Sequence, residues 1–319
     1  MQRIGVIDIG SNTIRLVVYE VSEPLLTGGE RVTRHQGDPG FEIIMDESII
    51  AGLSSYVEAG TLSDRGIAKA CDSIDDLKAR ADLVSCRRLF PFATAAIRNC
   101  TNSRRVVREI EDATGLAIDV LSGEEEAELG FVGASIGMDM HDGVLVDLGG
   151  GSAEVTLISE GVPSRSRSIP MGCVVAYARY VSMVFPTMEE ADAIERGFEE
   201  LARESGILDE RPERTFYGLG GGTLSIARML AQMHGSSEPE KVVTHAGIRK
   251  IASFLEEDPS SFAHTAIKAV PGTVHMLIPA CVIFGFLMDA FGCDVLHPCK
   301  HGIREGYLVS KALPRLHRS

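Results

Sequence analysis

The sequence predicts an α/β protein built as two similar lobes, and three observations carry that prediction. Residues Val144 to Ile158, VLVDLGGGSAEVTLI, read as strand, tight glycine turn and strand. An aliphatic run ends in Asp147, the turn is Gly149, Gly150, Gly151 and Ser152, and Glu154 opens the second run. Residues 4–20, IGVIDIGSNTIRLVVYE, are an imperfect copy: Asp8, Gly10 and Leu16 fall where Asp147, Gly149 and Val155 stand. A further cluster, YGLGGGT at Tyr217 to Thr223, follows a short strand and runs on into helix. Strand groups mixed with helical segments make the chain α/β. Its expected lobes are residues 1–122 and 123–319, hinged near Ser122 to Glu128, with an active-site cleft between them lined by Gly10 to Asn12, Gly149 to Ser152 and Gly220 to Thr223.

The turns suggest chemistry. Residues without a Cβ let the backbone approach a ligand closely. Successive N–H groups in such a turn form a concavity for anions. A carboxylate at each end, Asp147 and Glu154, suits a divalent cation bridging to phosphate oxygens.

Composition narrows the classes. A length of 319 residues suggests two domains, and 45% hydrophobic content supplies their cores. The net charge of −14 argues against a general nucleic-acid binder. A local basic patch can still receive an anionic small substrate, with Arg15, Arg98, Arg165 and Arg167 as candidates. Seven dispersed cysteines without a CxxC pair suit a reducing compartment, hence a cytoplasmic location. No secretory leader is expected, since Arg3 and Asp8 interrupt the first apolar run. The apolar stretch Ile278 to Met288 is too short for a membrane span and is bounded by Asp289. Nine dispersed histidines make no zinc motif.

In chain order, residues 3–20 give two strands. Gly28-Gly29 turns toward a polar strand at Arg31 to Arg34. GDPG at Gly37 to Gly40 turns again into the short strand FEIIM, and Asp46 to Gly60 is ambiguous. Ser63 caps a helix with Ile67, Cys71, Ile74 and Leu77 on one side. Arg88 to Phe92 is a strand that Pro91 marks as an edge or a bulge. Asn102 caps a helix with Val106, Val107 and Ile110 inward, ending near Gly115. Ala117 to Leu121 is a strand. Ser122 to Gly137 is a helix whose first turn holds Glu124, Glu125 and Glu126, favoured there by the helix dipole. Spacing does not say which of the three faces the glycine turns. Ser164 to Ile169 adds a strand and Met171 to Met183 a helix. The capping box Thr187 to Glu190 starts the helix 188–204. Arg214 to Tyr217 is a strand. Helices follow at 223–233, 245–256, 261–269 and 274–290, then a strand at Asp294 to His297 and a helix from Gly302 to Lys311. The final LPRLHRS is expected to fray.

These residues together resemble the exopolyphosphatase and guanosine pentaphosphate phosphatase family. The motifs are DIGSN at Asp8 to Asn12, ATAAIR at Ala93 to Arg98 with Asn102, SGEEEA at Ser122 to Ala127, and DLGGGSAE at Asp147 to Glu154. Met171-Gly172-Cys173, Gly220 to Thr223 and GIREG at Gly302 to Gly306 complete the set. They occur in the family's order over nearly the whole chain. The resemblance implies two actin-like, ribonuclease H-like lobes in a short form without the additional C-terminal helical domain. It gives Glu126 the role of activating water and Arg98 a phosphate contact. Asp147 and Glu154 become the metal ligands, for Mg²⁺ or, in substitution, Mn²⁺. Asp8, Gly10, Ser11 and Asn12 on one wall, and Gly149 to Ser152 with Gly221, Gly222 and Thr223 on the other, become phosphate-binding. Two segments depart from the pattern. Ile50 to Leu53, IAGL, stands where most members have L-G-x-G-L, and Thr273-Val274-His275 where many have Arg-Ala-Asp.

The expected reaction is hydrolysis of terminal phosphate from inorganic polyphosphate by metal-assisted attack of water. Alternatives are hydrolysis of guanosine pentaphosphate, a kinase of the same fold, and a non-catalytic phosphate or nucleotide sensor. No nucleic-acid or membrane partner is expected. A homodimer is favoured on base rate and resemblance.

Overall fold

The computed structural model describes residues 1–26, 39–209 and 215–316. The expected Gly28-Gly29 turn, the Arg31 to Arg34 strand, Gly37 and Asp38 of the Gly37 to Gly40 turn, and Arg214 lie outside them. The chain forms two compact units: residues 1–139 with 301–319, and residues 140–300.

Unit 1 holds a sheet of β1 (Gln2–Ile9), β2 (Thr13–Val21), β3 (Phe41–Ile50), β4 (Arg88–Ala93) and β5 (Asp119–Val120), in the order β3-β2-β1-β4-β5. β1, β2 and β3 form an antiparallel meander, and β4 and β5 join it in parallel. Strand periodicity splits the core. Ile7, Ile9, Ile14, Leu16 and Val18 face the helices Asp64–Leu83 and Ser103–Thr114. Ile4, Val6, Val17, Tyr19 and Val21 face Leu129, Ile303, Tyr307 and Leu308 on the other side.

That second layer explains the division of the chain. The helices Gly123–Ala134 and Ile303–Tyr307 cover the far face of the N-terminal sheet, so residues 123–139 and 301–319 belong to unit 1. The sequence reading has both segments in its C-terminal lobe. The two helices touch backbone to backbone. A Cβ at Gly133 would lie 1.8 Å from the Gly302 carbonyl oxygen, and one at Gly306 would lie 1.9 Å from that of Leu129. Gly133→Ala should therefore destabilise the protein by about 3 kcal/mol through overpacking, outweighing about 1 kcal/mol gained in helix propensity. Urea denaturation measures it, and a variant as stable as the parent would remove this account of the contact.

Unit 2 repeats the pattern with β6 (Gly143–Leu148), β7 (Ala153–Ser159), β8 (Val162–Ile169), β9 (Phe216–Leu219), β10 (Val243–Thr244) and β11 (Val295–Pro298). The order is β8-β7-β6-β9-β11-β10. Again an antiparallel meander is extended in parallel from its first strand, here by β9 and β11. Helices Cys173–Tyr180, Met188–Glu204, Gly220–Met233 and His245–Glu257 surround the helix Val274–Phe291, and Pro259–Ala269 packs on Gly220–Met233 and His245–Glu257. That last helix has the length and composition to cross a membrane, but its side chains Leu277, Ala280, Ile283, Phe284, Leu287 and Met288 form the core of unit 2.

Several local expectations are corrected. The FEIIM strand continues to Ile50, because β2 pairs with it from Thr13↔Ile50 to Val21↔Phe41 across one bulge. Pro91 sits inside a central strand, opposite Ile7. β5 pairs only with Phe92 and Ala93, so no strand flanks that side at Pro91. Asn102 makes no cap: its amide bonds both the N–H and the carbonyl of Leu62, at 3.1 and 2.9 Å. Near the C-terminus, Leu313–Leu316 is a helical turn, because Leu313 is buried in the unit 1 core and Leu316 packs against it. Ser63 and the Thr187 box cap as expected.

Candidate active site

In unit 1 the candidate residues gather at the ends of β1 and β4 and at one helix start. Asp8 ends β1, and Gly10 closes the turn by donating its N–H to the Thr13 carbonyl at 3.1 Å. The turn is pinned by the segment that departs from the family pattern. Gly52 N–H donates to the Asn12 carbonyl at 2.8 Å, and Ser54 N–H to that of Ser11 at 3.0 Å. Gly52 adopts φ 59°, where glycine is at home.

Arg98 ends a short helix after β4. Its Nη1 donates to the Leu121 carbonyl at 3.0 Å and contacts the Glu126 carboxylate directly. The structure thus joins the two residues expected to do chemistry. Their side chains are 19% and 10% exposed. Among the three glutamates, the capping box resolves what spacing left open. Glu125 accepts from the Ser122 N–H and pairs with Lys311 at 2.6 Å, so it serves the helix terminus. Lys311 and the backbone hydrogen bond, with Lys311 first, hold the Glu125 carboxyl below its ordinary value. Glu126 is buried and faces Arg98.

Arg304 was not singled out in the sequence, although GIREG contains it. Its Nη1 donates to Asp8 Oδ2 at 2.9 Å, and its buried Nε has no hydrogen-bond partner among the described residues. Burial pushes the Asp8 carboxyl above its ordinary value, against the pull of Arg304 and then Arg15. Burial also opposes the Arg304 charge, but Asp8 and Glu305 hold it protonated more firmly than usual. Glu305 in turn accepts from Tyr19 Oη at 2.6 Å and from the Gly302 N–H at 2.8 Å. Arg15, proposed for a basic patch, is engaged by Asp46 through both carboxylate oxygens.

In unit 2, Asp147 and Glu154 stand directly opposite each other across the β6–β7 ladder. Directly opposed residues have Cβ atoms about 5 Å apart, and like charges there are destabilising. Glu154 is 4% exposed and accepts from Ser168 Oγ at 2.7 Å. The Gly149–Ser152 turn is closed by Gly149 N–H to the Ser152 carbonyl at 3.1 Å. The carbonyls of Gly149 and Gly150 accept from Cys173, Val174 and Val175 at the start of the next helix, between 2.9 and 3.1 Å. That approach needs Gly172, where a Cβ would be 2.4 Å from the Gly149 oxygen.

The third glycine cluster meets the same turn. Gly220 has φ 82°, and a Cβ there would lie 2.6 Å from Asp147 Oδ1. The cluster's members differ in placement. Gly221 is exposed. Gly222 packs on Leu148 and Ala280, and Thr223 turns inward, donating to the Leu219 carbonyl at 2.7 Å. Cys299 carried no sequence signal, yet burial and then Asp147 push its thiol to about 12, so it stays protonated. Arg167 donates to the carbonyls of Ser205 and Ser166 at 3.1 and 2.8 Å.

Among the described residues no group of three or more His, Cys, Asp and Glu forms a metal cluster. Two opposed carboxylates nevertheless fit Mg²⁺, which binds through one or two carboxylates and keeps waters or phosphate oxygens in its remaining positions. Hard oxygen donors disfavour zinc.

The sequence model of the Ppx/GppA phosphatase family matches residues 32–315. The chain belongs to that family. It is accordingly an enzyme that hydrolyses phosphoanhydride bonds. Similar proteins include exopolyphosphatase 2 of Mycobacterium tuberculosis, 31% identical over 73% of this chain and 72% of that protein. Exopolyphosphatase 1 of the same organism is 23% identical over 97% of this chain and 88% of that protein. A crystal structure of an exopolyphosphatase from Cytophaga hutchinsonii matches with a TM-score of 0.81 and 19% identity, covering 98% of each chain. Its likeness supports the α/β fold of two actin-like, ribonuclease H-like lobes. Mg²⁺-dependent hydrolysis is associated with this family.

Proposed function

We propose that the protein releases terminal phosphate from inorganic polyphosphate by direct attack of water. The opposed Asp147–Glu154 pair beside the Gly149–Ser152 turn is the observation that carries this reading. Two carboxylates so placed suit phosphate chemistry with a cation. Bound there, Mg²⁺ would offset charge on the phosphate oxygens.

The chain's own groups supply the rest. Water adds to the terminal phosphorus, its proton passes to a Glu126 carboxylate oxygen, and the P–O bond to the shortened chain breaks with its electron pair. Arg98 begins paired with Glu126, which weakens that carboxylate as a base. An incoming phosphate competes for the guanidinium, so substrate binding both neutralises phosphate charge and frees the base. Arg304 fixes Asp8 on the β1–β2 turn, which contributes phosphate contacts with Gly10, Ser11 and Asn12. Gly149 to Ser152, with Gly221, Gly222 and Thr223, orients oxygens through backbone amides. The names of the two mycobacterial relatives favour polyphosphate, and guanosine pentaphosphate is the runner-up substrate.

Phosphate release from both substrates, side by side at fixed ionic strength with a Mg²⁺ titration, tests the reading. Polyphosphate should turn over faster. Asp147→Asn should shift the Mg²⁺ requirement upward by about tenfold or more while leaving the urea midpoint nearly unchanged. An unchanged titration curve would reject the metal assignment. Faster release from the nucleotide would transfer the substrate assignment to guanosine pentaphosphate.

A further inference from the structure

The helices Met188–Glu204, His245–Glu257 and Val274–Phe291 enclose a cleft of about 280 Å³ in unit 2. None of its lining residues belongs to the glycine turns or the carboxylate pair. Its walls are mainly apolar and include Ile248, Leu255, Ile278, Val282 and Phe286. Gly285 lies inside the Val274–Phe291 helix, where glycine costs about 1 kcal/mol relative to alanine. Packing does not demand it: a Cβ there would meet nothing nearer than His245 Nε2 at 3.9 Å and Ile248 at 4.0 Å. The missing side chain instead keeps the cleft open.

The rim is acidic. Asp192, Glu195 and Asp289 line it, against the single arginine Arg249. Arg249 Nη1 lies 3.0 Å from His245 Nδ1. Arginine can only donate, so Nδ1 accepts and the ring proton sits on Nε2, 3.4 Å from Asp289 Oδ2. Three carboxylates against one arginine leave the rim with an excess of negative charge. Burial, then Asp192 and Asp289, push the Glu195 carboxyl above its ordinary value.

We propose that this cleft binds a small organic cation, an alkyl or aromatic amine. Its apolar body enters between the three helices, and its ammonium remains among Asp192, Glu195 and Asp289. The volume fits, since an apolar cavity of about 150 Å³ takes one benzene ring, leaving room here for a ring and a short chain. The charge selects the amine. An anion meets three carboxylates, and a second copy of a chain with net charge −14 brings further repulsion.

Calorimetric titration of the full chain with 3-phenylpropylamine and with 3-phenylpropionate, which share a skeleton, tests the proposal. The amine should bind about tenfold more tightly or better, with a preference that shrinks as salt screens the rim. Glu195→Gln, which keeps the shape, should reduce that preference several-fold. Gly285→Leu should fill the cleft and abolish binding with the circular dichroism spectrum and phosphate release unchanged. Equal binding of acid and amine, no binding of either, or binding that survives Gly285→Leu would overturn the proposal. So would a concentration-dependent dimer in sedimentation that Gly285→Leu dissolves and the amine leaves intact, which would assign the cleft to a second copy.

Discussion

Replacing Glu126 by glutamine should lower phosphate release by roughly 10²- to 10⁴-fold, the range for loss of a general base. The side chain keeps its size and can still accept a hydrogen bond from Arg98, but it no longer takes a proton from water. Glu126→Gln also removes one negative charge beside a polyanionic substrate, so KM should stay level or fall while kcat collapses. The neighbouring glutamates provide the contrast. Glu125 serves the Ser122 capping box and the Lys311 pair. Glu125→Gln should therefore cost stability, about 1 kcal/mol from the weakened cap, with little change in kcat per folded molecule. Steady-state phosphate release over a range of polyphosphate concentrations, beside urea denaturation, separates the two effects. Equal, modest losses of kcat in both variants would reject Glu126 as the base.

Arg304→Met should destabilise the protein by about 3 kcal/mol near neutral pH, because it strands Asp8 as an uncompensated charge. Both side chains are largely enclosed, at 21% and 17% exposed. The pH dependence carries the diagnosis. Burial raises Asp8 in the folded protein despite Arg304. A raised carboxyl contributes stability that is present below its unfolded pKa and is lost as pH rises through the folded value. Without Arg304 the folded value climbs further, so the loss extends over a wider span of pH. The deficit of Arg304→Met should thus be small in acid and grow toward neutrality, whereas Arg304→Lys, which retains the charge, should show a smaller deficit. Urea denaturation from acid to neutral pH measures both. A deficit independent of pH would show that Arg304 acts through packing alone. Turnover should fall as well, since the same pair fixes the turn that carries Gly10, Ser11 and Asn12.

Local sequence made the turns and helix starts legible. Three successive glycines between alternating apolar runs admit little besides a tight turn between strands, and β6 and β7 form there. The Thr187 capping box and the Ser63 cap act within four residues of themselves, so spacing alone reveals them. Asn102 shows where such reading fails. An asparagine before an amphipathic run fits a cap, but its amide gains two bonds to Leu62 from an element 40 residues away. The second half of β3 is hidden from sequence for a related reason: residues Asp46 to Ile50 carry little hydrophobic alternation, and it is the ladder to β2 that extends them.

The sequence by itself determined the α/β class, the three glycine clusters, and the residue types that phosphate chemistry requires. Only the tertiary structure decided which of those residues meet. Arg98 finds Glu126 across 28 residues because the helix Gly123–Ala134 packs on the N-terminal sheet, and Arg304 finds Asp8 across 296 because the C-terminal helices return to cover the same sheet. Turns and caps are set by neighbours along the chain, where φ preferences and short hydrogen bonds act. Ion pairs of this span are set by which apolar faces bury one another. Ile303, Tyr307 and Leu308 pack against the strand residues Ile4, Val6 and Tyr19, and the charged partners are carried into contact with them.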